Sequence, residues 1–224
     1  MIVDLSVVVD ATTQGPPAAG SPPVVLETAF RGPGHWQSSR IATLLHTGTH
    51  VDAPLHVVAG GRAIEDLALD ELAGTAVVLD LHDAGEREAI DGERLSRAAD
   101  ALAHAPAAGE IVVVRTDWTD RWWGSFPDYY TRSPFLTEEA GMWLAAIHPR
   151  AVVVDFFEEE CAVSPEFGSE DFVVHRAILG ADVPLIEQAT RIGTIRAERF
   201  EIRASMVALA GVEASPCRLV AEAG

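Results

Sequence analysis

The residues His46–His56 read HTGTHVDAPLH, which sets three of the chain's eight histidines beside a carboxylate, Asp52. Neutral imidazoles with a carboxylate suit zinc, manganese or iron(II) better than calcium or magnesium. A carboxylate can also bridge two ions, which a histidine cannot. A divalent ion draws the pKa of water toward 7 and so makes hydroxide available at neutral pH. His56, just past Pro54, would then serve as an acid/base that is not a ligand.

The spacing limits how these side chains can meet. His46 and His50 are four apart, but Thr47, Gly48 and Thr49 between them are poor helix formers. In an extended chain residues 46, 50, 52 and 56 share one face. A straight strand would hold His46 about 13 Å from His50, at roughly 3.3 Å per residue. That is too far for two nitrogens each about 2.0–2.1 Å from one ion. The chain must bend, and Gly48 is the residue that can bend it. A kinked strand end carrying His46, His50 and Asp52 inward is expected.

Short apolar strands alternating with helices must hold that segment. Strands are expected at Ile2–Val9, Val24–Phe30, Ser38–Leu45, Thr75–Leu81, Ile111–Thr116, Ala151–Asp155 and Pro184–Ile186, with a last one at Phe200–Leu209. Helices are expected at Leu67–Leu72, Asp91–Ala103, Thr137–Ile147 and Phe172–Leu179. Gly32, Pro33 and Gly34 mark a turn. Ala11–Pro23 reads as a proline-rich excursion, or as an arm over a neighbouring subunit or the site mouth. This alternation is α/β: one compact domain over residues 1–224, with a mixed sheet or barrel-like β core flanked by helices and residues 1–37 forming an N-terminal strand and arm.

The totals narrow the partners. A formal charge of −18, from 34 acidic and 16 basic residues, opposes phosphate backbones and anionic lipid. Nucleic acid and membrane are therefore not expected. Cys161 and Cys217 are the two cysteines and form no CxxC. The first residues carry no basic n-region and no apolar run reaches membrane-spanning length, so a cytoplasmic location is expected.

HTGTHVDAPLH meets every fixed position of HxGTHxDxPxH, the signature of the cyclase family of metal-dependent hydrolases, which includes bacterial kynurenine formamidase and isatin hydrolase. EIVVVRTDWTDRWW, SPFLTEEAGMWL and VVHRAILGADVPLIEQ also resemble family segments. The resemblance implies that His46, His50 and Asp52 bind a first ion, and that Asp52 bridges to a second completed by His175 and Glu187. It implies His56 as the catalytic acid/base, Zn2+ or Mn2+ as one or two ions per subunit, a cyclase-like swivelling β/β/α fold, and a homo-oligomer, dimer or tetramer. The reaction implied is hydrolysis of an amide, formamide or lactone-type bond of a small-molecule substrate. A lyase or cyclase on the same centre, and a non-catalytic metal- or ligand-binding protein, are the competing readings.

Departures from the family bear on the substrate. The strand Ala151–Asp155 leads into Phe156-Phe157-Glu158-Glu159-Glu160 rather than a Gly-, Ser- and Asp-containing loop, and a solvated loop is the expectation there. No tryptophan precedes Trp36, where formamidases of this type carry an aromatic near the N-terminus. Trp118, Trp122, Trp123, Tyr129 and Tyr130 read as core and lid packing beside Arg121. Phe30, His35 and Trp36 are further candidates to line the site, and His82, His104 and His148 read as surface residues.

Overall fold

Three runs with consecutive valines at their centres (Ala73–Asp80, Ile111–Arg115 and Ala151–Val154) lie side by side as parallel strands in the computed structural model, which describes residues 1–17, 23–164 and 166–222. Continuous β-branched runs of this kind suit strands buried on both faces. In chain order the strands are β1 (Ile2–Asp4), β2 (Val25–Phe30), β3 (Gln37–Ala42), β4 (His50–Asp52), β5 (Ala73–Asp80), β6 (Ala89–Ile90), β7 (Ile111–Arg115), β8 (Phe135–Leu136), β9 (Ala151–Val154), β10 (Leu185–Glu187), β11 (Arg199–Met206) and β12 (Ala214–Glu222). The helices are α1 (Gly92–Asp100), α2 (Trp118–Trp122), α3 (Asp128–Thr131), α4 (Glu138–Ala146) and α5 (Val173–Leu179).

The main sheet runs β1-β12-β11-β5-β7-β9-β10-β4, and β4 pairs back onto β12. That last pairing closes a seven-stranded mixed barrel, with β1 added alongside β12. Closure resolves the sequence's choice between open sheet and barrel-like core, and it leaves few free edges.

Alternation along the strands fills two cores. Ala76, Val78, Ile111, Val113, Ala151 and Val153 point into the barrel with Phe200, Ile202 and Leu219. Val77, Leu79, Val112, Val114, Val152 and Val154 point out, beneath Leu95 of α1, Leu144 of α4 and Ile178 of α5. Asp91 caps α1 by accepting from Arg94 N at 2.8 Å, and Thr137 caps α4 by accepting from Ala140 N at 3.3 Å. Gly141 lets α4 and α5 close together, since a Cβ there would stand 2.9 Å from Ala177 Cβ.

Several expectations change. Leu67–Leu72 is not helical. Leu67 and Leu72 are buried five apart while Leu69 is exposed, a spacing no helix face provides, and the nearby helical turn is the 3-10 segment Ile64–Asp66. Strand Ile2–Val9 stops at Asp4, although Ser6 still bridges to Ala189. Arg199–Met206 is the next-to-last strand, and Ala214–Glu222 is the last. Residues 18–22 of the proline-rich stretch lie outside the described residues. Strands β2 and β3 form a hairpin exposed along its whole length, on which Phe30, His35 and Trp36 stand. His82, His104 and His148 are exposed, as expected.

Trp118, Tyr129 and Tyr130 are buried, with Trp118 Nε1 donating to Tyr129 O at 2.8 Å. That stretch is core packing, as its composition suggested. No helix among the described residues is long and apolar enough to cross a membrane.

Candidate metal centre

Register places the first residues of the site. His50 of β4 lies opposite Glu187 of β10, and Asp52 lies opposite Leu185. Val51 and Ile186 point into the barrel, so the alternate residues His50, Asp52 and Glu187 face outward, toward the layer that holds α5. Helix α5 brings His175 onto them. His46 reaches the same place because the chain turns at Gly48, whose φ is 76°. A Cβ on Gly48 would collide with the Val9 side chain, so the bend also needs the absence of a side chain.

The three imidazoles share one arrangement. His50 Nδ1 donates to Gly48 O at 2.8 Å, leaving Nε2 3.2 Å from Asp52 Oδ1. His175 Nδ1 donates to Glu159 Oε1 at 2.8 Å, leaving Nε2 3.4 Å from Asp52 Oδ2 and 2.9 Å from Glu187 Oε1. His46 Nε2 meets Glu213 Oε1 at 3.2 Å, leaving Nδ1 3.1 Å from Asp52 Oδ1. Each ring is tied back through one nitrogen and presents the other to Asp52, the arrangement that fixes a ligating tautomer. The two Asp52 oxygens divide the histidines between them.

The donor set fits divalent cations. His50 Nε2 and both Asp52 oxygens are buried without a hydrogen-bond partner, a costly state for polar atoms unless something else binds them. Three groups of possible ligands have their atoms within 4.8 Å of one another: His46, Asp52 and His56; His50, Asp52 and Glu187; and Glu158, Glu159 and His175. All five sequence-derived ligand candidates and His56 therefore converge on one place. His56 packs its ring 4.3 Å from that of His46 and 5.3 Å from that of His175.

The charges respond strongly to one another. Burial pulls His46 down, but Asp52 and Glu213 outweigh it and lift it to about 10. His50 and His175 are raised in the same way, by Asp52 and Glu187 for His50 and by Glu158 and Asp52 for His175. Burial would raise Asp52, yet His46 and His50 hold it well below the usual carboxylate range. His56 is the exception. Burial, with His175 and His46, pushes it down to about 4 against the pull of Asp52.

Six residues around the site were misplaced or missed from the sequence. Phe156, Phe157, Glu158 and Glu159 are buried rather than solvated, and only Glu160 of that run is exposed. Glu159 is held because its Oε1 accepts the backbone N–H groups of Val174 and His175, and Ser133 Oγ fastens Phe157 N at 3.1 Å. Glu213, just before β12, escaped notice with that strand. Gln188, buried in the left-handed region at φ 56°, follows Glu187 and carried no signal in the sequence.

Known proteins share this architecture. The chain is 30% identical over 216 residues to a kynurenine formamidase from Bordetella avium strain 197N, covering 92% of this chain and 94% of that protein. A solved structure described as a potential metal-dependent hydrolase with cyclase activity matches 99% of this chain and 96% of its own, at 26% identity and a TM-score of 0.72. Isatin hydrolase A from Ralstonia solanacearum, at 22% identity, shares the fold with a TM-score of 0.82 over 99% of this chain and 91% of its own. The family "Cyclase: Putative cyclase" matches residues 3–160. With its HTGTHVDAPLH segment at the closing seam of a barrel of this fold, the chain belongs to the cyclase family.

Proposed function

We propose that the chain is a divalent-metal hydrolase that opens an amide-type C–N bond of a small molecule, a formamide or a cyclic amide, with lactone-type esters as related substrates. The observation that carries this reading is the common orientation of His46, His50 and His175 toward the hydrogen-bond-free oxygens of Asp52. The names of the relatives, kynurenine formamidase and isatin hydrolase, supply the substrate class.

In this reading His46, His50 and Asp52 hold one ion, and Asp52, His175 and Glu187 hold a second. Zn2+ and Mn2+ both suit the donor set. Bound there, divalent cations supply Lewis acidity and water activated at neutral pH. His56 is the residue left to move protons: held neutral, it can take one and pass it to the departing nitrogen or oxygen. Because His56 also lies within ligand distance of His46 and Asp52, the His56→Ala variant separates the two roles.

We also propose a homo-oligomer, dimer or tetramer. An isolated two-stranded hairpin is marginal in water, and this one exposes Leu26, Phe30, Trp36 and Ile41. The free thiols Cys161 and Cys217 suit a reducing cytoplasm. The charge of −18 argues against nucleic acid and membrane as partners.

Elemental analysis of the purified protein, joined to a panel of aryl formamides, cyclic imides, isatins and lactones, tests the function. Bound metal with turnover of an amide, and solvent oxygen in the product from isotopically labelled water, is the expected result. Turnover without solvent oxygen would instead make it a lyase or cyclase, and metal without turnover across the panel a binding protein.

A further inference from the structure

The ligands of the second proposed ion do not account for all the buried charge around it. Glu158 and Glu159 lie on the Nδ1 side of His175, both essentially inaccessible to solvent. Glu159 has evident work: its Oε1 accepts from Val174 N at 3.0 Å, His175 N at 2.8 Å and His175 Nδ1 at 2.8 Å. Glu158 has none of this. Its Oε1 is 3.3 Å from His175 Nδ1, but the one proton on that nitrogen points to the nearer Glu159, and neither Glu158 oxygen receives a hydrogen bond.

No conventional counter-ion is at hand. All sixteen basic residues are arginines, the chain having no lysine. Among the described residues the ion pairs of Glu158 and Glu159 are with His175 alone. The nearby Arg87 reaches out to the exposed Glu160 instead. A buried carboxylate without compensation is strongly disfavoured, so either Glu158 is uncharged or a cation offsets it.

We propose that Glu158 is the counter-charge of the second cation, a buried carboxylate behind the His175 ring that enables this chain to hold two divalent ions. Asp52, Glu187, Glu158 and Glu159 are four buried carboxylates, and their combined charge equals that of two divalent ions once His46, His50 and His175 are neutral ligands. A lone divalent ion leaves half of that charge uncompensated. The inference rests on the hydrolase reading above, and it attaches a purpose to the acidic run that departs from the family pattern.

Calorimetric titration of the metal-free protein with Zn2+ and with Mn2+ tests it, with elemental analysis as the count. Wild type should take two ions. Glu158→Gln should keep the first affinity within about twofold and weaken the second by about 10–100-fold, the usual effect of removing an outer-sphere partner. Glu158→Asp, which keeps the charge, should retain the second ion. Thermal denaturation supplies a further readout: Glu158→Gln should lose part of the Tm gain that wild type shows on loading. Two ions held by Glu158→Gln as tightly as by wild type would overturn the inference, as would equal weakening at both sites. Absence of any bound ion in wild type would overturn the hydrolase reading instead.

Discussion

Asp52 Oδ2 lies 3.4 Å from His175 Nε2, while its other oxygen faces His46 and His50. One carboxylate thus connects a strand of the barrel seam with a helix far along the chain. Asp52→Asn keeps the shape but removes the charge and halves the acceptor oxygens. It should lose both ions by elemental analysis and bring amide hydrolysis to background, whereas His50→Ala should release the first ion before the second.

His56 should separate chemistry from binding. His56→Ala is expected to lower kcat by about 10²–10⁴-fold, the usual contribution of a positioned acid/base, while the metal content stays at the wild-type level. A loss of metal in His56→Ala would make it a ligand, consistent with its proximity to His46 and Asp52.

Metal uptake should depend on pH in a defined direction. In the metal-free chain His46 titrates at about 10, so at neutral pH it carries a proton that must leave before its nitrogen can ligate. Apparent affinity should therefore rise with pH up to about 10, with proton release measurable by calorimetry in buffers of different ionisation enthalpy. The metal-free fold should behave oppositely. The folded pKa of His46 exceeds its unfolded value of 6.5, so that group's stabilisation is complete below pH 6.5 and fades as pH rises toward 10. Urea midpoints of the chelated protein across this range check the sign.

Chelation should also cost stability at fixed pH. A cation held at a hundred times its Kd contributes about 2.7 kcal/mol to folding. For a chain of 224 residues this corresponds to a Tm fall of roughly 5–10 °C on removal.

Gly48→Ala should be damaging out of proportion to its size. The residue needs a left-handed φ of 76°, and the added methyl would meet the Val9 side chain. A loss of about 1–3 kcal/mol in urea unfolding is expected, with weaker metal binding because His46 and His50 lose their common orientation.

The parts of the site that were legible in the sequence were those set by local geometry. Parity put His46, His50, Asp52 and His56 on one face, and distance demanded the bend that Gly48 supplies. His175 and Glu187 had no local signature and were reached through the resemblance of VVHRAILGADVPLIEQ to a family segment. The central strands could be read because valine and isoleucine runs have few other uses. Ala214–Glu222 could not, because Pro216 argues against a strand interior; its pairing with His50 lies on the short closing strand. Three consecutive glutamates suggest water, and only the folded arrangement shows the helix N–H groups and His175 that let Glu159 be buried. Charge in a sequence reports what a residue carries, not what will surround it.

The seam strand has one more implication. β4 is three residues long, yet it pairs with both β10 and β12 and so completes the barrel. Two of those three residues, His50 and Asp52, are also the ones that face the proposed cations. The segment that latches the scaffold is therefore the segment proposed to do the chemistry, and in that reading assembly and activity cannot be tuned apart. A lineage of this chain that gave up its ions would have to find a new way to fasten its own wall.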